Sequence, residues 1–225
     1  VAKKVEDTAN QRQLPVLDAT CPLVAKVHRE GQRYSANGYE VVLIGHAGHP
    51  EVVGTMGRIK GDVYLVSNND DVKKLKVRNP NKLSYISQTT LSVDDTKVVI
   101  QALKERFPSI EGPDVKDICY ATQNRQSAVR DLVNHVDLML VVGAKNSSNS
   151  NRLRDLGEES GVNTFLIETA DDLDRSWFNN VNSVGISSGA STPDELVNEV
   201  IDRISTFREI KIEKRPGIEE NVVFR

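Results

Sequence analysis

Short, continuous apolar runs alternate along this chain with stretches whose apolar residues recur every three or four positions. The first pattern marks buried strands and the second marks helices with one packed face. Strands are predicted at Glu40-Val41-Val42-Leu43-Ile44, Val63–Val66, Leu83–Ser87, Asp137–Val142, Thr164–Ile167 and Ser183–Ser187. Helices are predicted from Pro22 to near Gly38, with Val24, Val27 and His28 in its pattern, and over Val93–Phe107, closed by Pro108. Others open at Cys119 (with Ala128, Val129, Leu132, Val133), follow the loop before Leu153, Leu156 and Glu159, and run from Pro193 to Phe207. A short helix carries Val72 and Leu75, and Val1 to Gln11 reads as a mostly polar helix. Thr20 is the expected N-cap of the helix that Pro22 begins.

The order of elements repeats. Cys21 and Cys119 stand 98 positions apart, as do Gly45 and Gly143; Asp70 and Asp171, like Thr90 and Ser191, stand 101 apart. A repeat of alternating helices and strands predicts an α/β fold of small parallel-sheet units. The expected boundaries are residues 1–20 as the tail of an earlier, truncated unit, 21–115 and 116–207 as two units, and 208–225 as a C-terminal tail. The start without Met and the strand-like Asn221-Val222-Val223-Phe224-Arg225 end prompt the expectation that the chain is a piece of a longer one. If rotation relates the units, their polar strand ends face a common centre.

Composition narrows the function classes. The 225 residues are 38% hydrophobic and 27% charged, as in a soluble globular protein. A net charge of −3 and 5% aromatic residues give neither a basic footprint nor stacking platforms for nucleic acid. No apolar run approaches a membrane span. Two cysteines are too few for a disulfide framework and suit a reducing compartment, so a cytoplasmic location is expected.

The chemistry concentrates after the strands. Gly143-Ala144-Lys145-Asn146-Ser147-Ser148-Asn149-Ser150-Asn151 follows one strand and opens a helix. Ligands of open α/β sheets bind at such carboxyl ends, and a helix start offers free N–H groups to an anion. The loop therefore suits a phosphorylated ligand, with Lys145 adding charge; read blandly, it is a loop rich in N-cap residues. Gly45–Glu51 is the matching polar loop of the preceding unit, where Glu51 is either a proton carrier or a solvated carboxylate. His28 and His135 fall within helical patterns and read as packing or surface residues; His46 could be either. Cys21 and Cys119, each before a helix, are candidate thiolate ligands, since a helix start favours the thiolate. Two thiolates fall short of the four ligands an iron–sulfur cluster usually takes.

Six segments together resemble one family. They are Asp18-Ala19-Thr20-Cys21-Pro22-Leu23-Val24, Gly45-His46-Ala47-Gly48-His49-Pro50-Glu51-Val52, Gln88 through Thr96, Asp117-Ile118-Cys119-Tyr120-Ala121-Thr122, Lys145 through Leu153, and Gly189-Ala190-Ser191. In this order they resemble the 4-hydroxy-3-methylbut-2-enyl diphosphate reductases, the LytB or IspH family. The resemblance implies a trefoil of three α/β units around a 4Fe-4S cluster, of which the last two are present here. It implies reduction of an allylic diphosphate to isopentenyl and dimethylallyl diphosphate, the last step of the non-mevalonate isoprenoid pathway. Cys21 and Cys119 match two cluster ligands, the third cysteine being expected in the missing unit. Glu51 matches the proton-delivering acid, and His49, Thr89, Ser147, Ser148, Asn149 and Ser191 match substrate-binding positions. An electron donor such as ferredoxin or flavodoxin is implied, and neither nucleic acid nor membrane is expected as a partner. The alternatives are a diphosphate-binding module without redox activity and a two-unit sugar- or phosphate-binding protein of periplasmic type.

Overall fold

A computed structural model describes residues 2–218 and 220, so the strand-like run at 221–225 lies outside the described residues. The chain divides into two compact units, the first ending at Cys119 and the second beginning at Tyr120.

In the first unit, helix α1 (Lys3–Gln11) is followed by α2 (Pro22–Ala36), strand β1 (Glu40–Ile44) and α3 (Pro50–Arg58). Then come β2 (Val63–Val66), α4 (Asn69–Lys74), β3 (Leu83–Ser87) and α5 (Val93–Arg106). The three strands are parallel in the order β2-β1-β3. Successive side chains of a strand point to opposite faces. Val42 and Ile44 therefore pack with Leu83, Tyr85, Val99 and Leu103 on one face, and Val41 and Leu43 with Val27, Val52 and Ile59 on the other. Helices on both faces explain why β1 is apolar from Val41 to Ile44 rather than alternating. Its one charged residue, Glu40, is buried and accepts from the Tyr64 hydroxyl at 2.5 Å and from the N–H groups of Arg78 (3.0 Å) and Asn79 (2.6 Å).

The second unit repeats this plan. After α6 (Tyr120–Leu132) and a 3-10 turn come β4 (Leu138–Val142), α7 (Ser148–Glu159), β5 (Asn163–Ile167), β6 (Val184–Ser188) and α8 (Asp194–Ser205). The parallel order is β5-β4-β6. Leu138, Leu140 and Val142 pack with Ile167, Phe178, Val200 and Ile204, and Met139 and Val141 with Val129, Leu153 and Leu156 on the opposite face. Both units thus have the repeated parallel α/β architecture predicted from the sequence.

Local details differ from expectation. The N-cap of α2 is Cys21, not Thr20. Thr20 instead turns its hydroxyl and N–H onto the Asp18 carboxylate, at 2.6 and 3.0 Å, the local side-chain competition that favours turns over helix starts. Glu159 is exposed and pairs with Arg152 rather than joining the packed face of α7. The 3-10 turn Ala170–Asp172 and the helix α3 were not distinguished in the sequence pattern.

Candidate functional site

In each unit the central strand runs into glycine and then into the first turns of a helix. Gly45 follows β1, and a Cβ there would lie 2.6 Å from the Val52 side chain and 3.3 Å from Gln88 Oε1. The glycine lets α3 approach the sheet end. His49 caps α3: its Nδ1 accepts the N–H of Glu51 at 3.2 Å, and Pro50 supplies the first helical residue. Burial and the neighbouring His46 lower the pKa of His49, keeping the ring neutral as an acceptor on Nδ1. The remaining nitrogen, Nε2, then carries the proton and is free to donate.

Glu51 lies at the second position of α3 and turns toward the end of β3. Its carboxylate accepts the N–H of Thr89 at 2.7 Å and the Thr89 hydroxyl at 3.0 Å. Burial raises the Glu51 pKa above the ordinary carboxylate value; the two Thr89 hydrogen bonds oppose the shift and the charge of Asp117 adds to it. A carboxyl group poised upward in this way can hold a proton and release it. Thr89 is itself buried, and its carbonyl accepts the N–H of Cys119 at 2.9 Å. Cys119 is half-buried at the start of the segment leading into α6, and Cys21 is exposed at the N-cap of α2; both are free thiols. The first unit therefore gathers Glu51, Thr89 and Cys119 into one bonded series, with His49 on the same helix start as Glu51.

The second unit presents hydroxyls and amides at the corresponding place. Ser147 caps α7, its Oγ accepting the N–H of Ser150 at 3.3 Å. A Cβ on Gly143 or on Gly189 would collide with Ser150 Oγ, so the start of α7 seats against the ends of both β4 and β6. The turn carrying Ser191 is held there as well: Gly189 N–H and the Thr192 hydroxyl both donate to Val142 O, at 2.9 and 3.0 Å. Ser147, Ser148, Asn149 and Ser191 are thus brought to one edge of the second sheet. Asn149 is buried, and neither its amide nitrogen nor its oxygen has a partner among the described residues. A buried amide left unpaired is costly, so this sheet edge holds donor and acceptor capacity that no described side chain uses. The charge expected of Lys145 at this edge is directed elsewhere: its Nζ lies 3.9 Å from the Asp172 carboxylate.

The spacing of the repeat aligns Glu51 with Asn149 and His49 with Ser147, a correspondence the sequence contained but motif reading passed over. Sequence reasoning also passed over Asp117, whose buried carboxylate accepts from Ser87 N–H at 3.1 Å and Lys26 Nζ at 3.3 Å. Burial pushes its pKa up to about 6, against the Ser87 hydrogen bond. His28 is buried with Nε2 unpartnered, its pKa brought down to about 4 chiefly by burial, and His135 is surface-placed beside Asp131.

The described residues contain no group of three or more His, Cys, Asp or Glu side chains placed to hold a metal ion. The two free thiols each stand at a helix start, and the Cys119 backbone is pinned to Thr89; two thiolates are fewer than the four ligands an iron–sulfur cluster commonly takes. No described helix is long and apolar enough to cross a membrane.

Fold and site together define a repeat α/β protein with a poised carboxylic acid and free thiols in one unit and an anion-suited polar edge in the other. The family model described as LytB protein matches residues 1–205, and the chain belongs to that family. It is 54% identical over its whole length to 4-hydroxy-3-methylbut-2-enyl diphosphate reductase 1 of Rhodopseudomonas palustris, covering 73% of that relative. It is 58% identical over 98% of its length to the reductase of the same name from Acidithiobacillus ferrooxidans, covering 70% of it. Among solved structures, the E-1-hydroxy-2-methyl-but-2-enyl-4-diphosphate reductase of Plasmodium falciparum superposes with a TM-score of 0.85 at 38% identity. That match covers 90% of this chain and 64% of the Plasmodium chain.

Proposed function

We propose that this chain works in the reductive dehydroxylation of 4-hydroxy-3-methylbut-2-enyl diphosphate, giving isopentenyl and dimethylallyl diphosphate in the non-mevalonate route to isoprenoids. The overall change is balanced by two electrons and two protons: the allylic C–O bond breaks, a C–H bond forms, and the oxygen leaves as water. The electrons come from a small carrier protein of the ferredoxin or flavodoxin kind. Cys21 and Cys119 would hold part of a 4Fe-4S cluster, which when bound would supply electron transfer and Lewis acidity toward the hydroxyl oxygen.

Glu51 serves as the acid. Its buried carboxyl gives up a proton to the departing oxygen, and the two Thr89 donors stabilise the carboxylate that remains. His49 donates through Nε2 to the ligand while its Nδ1 holds the helix start. Ser147, Ser148, Asn149 and Ser191 bind the diphosphate through neutral donors, strengthened by the ligand's charge and the start of α7.

The observation that carries this reading is the buried Glu51 carboxyl bonded to both donors of Thr89. In anaerobically reconstituted enzyme that carries the full set of cluster ligands, Glu51→Gln keeps the shape but cannot give a proton, and turnover is expected to fall by about 10²–10⁴. Affinity for inorganic pyrophosphate should change little. Turnover within a few-fold of the parent enzyme would remove Glu51 from the role.

A further inference from the structure

Strand β3 is an edge strand of its sheet, so its outward N–H and C=O groups lack a neighbouring strand. The segment 111–119 covers that edge. Glu111 accepts from Tyr85 N–H at 2.8 Å and donates to Leu83 O at 3.1 Å, and Cys119 N–H donates to Thr89 O at 2.9 Å. At Ser87, between these contacts, the acceptor is a side chain: Asp117 Oδ2, at 3.1 Å. The other oxygen, Oδ1, accepts from Lys26 Nζ at 3.3 Å, and the same ammonium group reaches Lys116 O at 3.5 Å. Lys26 stands five residues beyond Cys21 on α2, and Asp117 two residues before Cys119. The Asp117 side chain is wholly buried, and apart from its charge acting on Glu51 it has no role in the chemistry above.

We propose that Asp117 is a positioning residue: one carboxylate ties the end of β3, the Cys119 segment and the helix carrying Cys21 into a fixed register. The register matters because Thr89, two residues past Ser87, must keep both donors on Glu51. It matters also because both cysteines depend on segments that Asp117 grips. A buried carboxylate meets this task as an apolar residue cannot. It accepts in two directions, and hydrogen bonds to an ionised partner are stronger than neutral ones. The significance of the thiols and of Glu51 rests on the function proposed above; the tie itself does not.

The test uses the metal-free chain with no substrate, so failure of the reductase reading would leave its outcome unchanged. Amide exchange at Ser87 and Cys119 and alkylation of Cys21 and Cys119 by iodoacetamide are measured in Asp117→Ala, Asp117→Asn and Lys26→Met. Asp117→Ala should speed exchange at Ser87 and Cys119 by about tenfold, the scale of one lost hydrogen bond to a charged group, and speed alkylation of Cys119. Amides of β1 should keep their rates. Asp117→Asn retains an oxygen for Ser87 and should restore slow exchange there, while its Cys21 alkylation should rise as in Lys26→Met. Rates at both amides and both thiols within twofold of the parent would overturn the proposal. So would equal acceleration across β1, which would mean general loosening. If Asp117→Ala does not fold, the other two variants decide. Faster Cys21 alkylation in both, with Ser87 still protected, supports the tie, and parental rates in both refute it.

Discussion

Single side chains in this protein are set by how many donors reach them. Glu40 and Glu51 are both carboxylates close to parallel strands, yet their pKa values move in opposite directions. At Glu40, burial pushes upward, but the Tyr64 hydroxyl and the Arg78 and Asn79 N–H groups outweigh it and hold the pKa below the ordinary value. At Glu51, two donors from one threonine do not offset burial and the nearby Asp117. The contrast separates a carboxylate held charged by its donors from the one proposed above as the acid. Because the folded pKa of Glu40 is depressed, its contribution to stability is present above the unfolded carboxylate pKa and lost as pH falls through the folded value. Glu40→Gln should therefore cost about 1.5–3 kcal/mol near neutral pH, as for hydrogen bonds to a charged group. The cost should shrink toward zero as the solution is acidified past the folded pKa of Glu40. Urea unfolding of parent and variant at several pH values checks this, and a cost independent of pH would show that the charge contributes nothing.

At the scale of elements, the same strand–glycine–helix joint is built twice and furnished differently. The joint into α3 carries an imidazole cap and a carboxylic acid; the joint into α7 carries a hydroxyl cap and an unpaired amide. If the second joint reads the anion, Ser147→Ala combined with Asn149→Ala should weaken pyrophosphate binding by roughly 3–6 kcal/mol, at ~1.5–3 per charge-assisted bond. Binding of the matching allylic alcohol should weaken much less. Calorimetry with both ligands decides it, and equal losses would make the loop a shaping element rather than an anion reader. The strands were legible because each is a short apolar run covered on both faces. The ends of α2 and α5 were legible from Pro22, Gly38 and Pro108. The helix α3 was not, because Gly48-His49-Pro50 reads as turn chemistry although His49 and Pro50 are the cap and first residue of a helix. The motif residues were legible as segments, but their bonds were not: Thr89 reaches Glu51 across 38 positions, and Asp117 reaches Lys26 across 91. Local patterning carries no information about partners so distant.

For the molecule as a whole, the thiol inventory sets a limit. A cubane iron–sulfur cluster commonly takes four thiolates, and this sequence has two cysteines. Anaerobic reconstitution of the chain by itself should yield well under the roughly four irons per chain of a filled cluster. Iron and sulfide assay together with visible absorbance measures this, and full stoichiometry would show that other side chains complete the set. The strand order has a different consequence, which concerns how the chain is made. In both sheets the middle strand is the earliest translated, and both its neighbours follow it. After Ile44 leaves the ribosome, the whole of β2 and α4 must be synthesised before β3 exists to cover the other side of β1. At about 5–20 residues per second, that interval is roughly 2–8 s. Throughout it, a strand that is apolar from Val41 to Ile44 and cannot close a local hairpin has at most one of its two neighbours. Nascent chains stalled with residues up to 80 exposed should accordingly crosslink to a holdase chaperone through β1. Chains stalled after α5 has emerged should not, and equal crosslinking at both lengths would show that β1 is shielded before its sheet is complete.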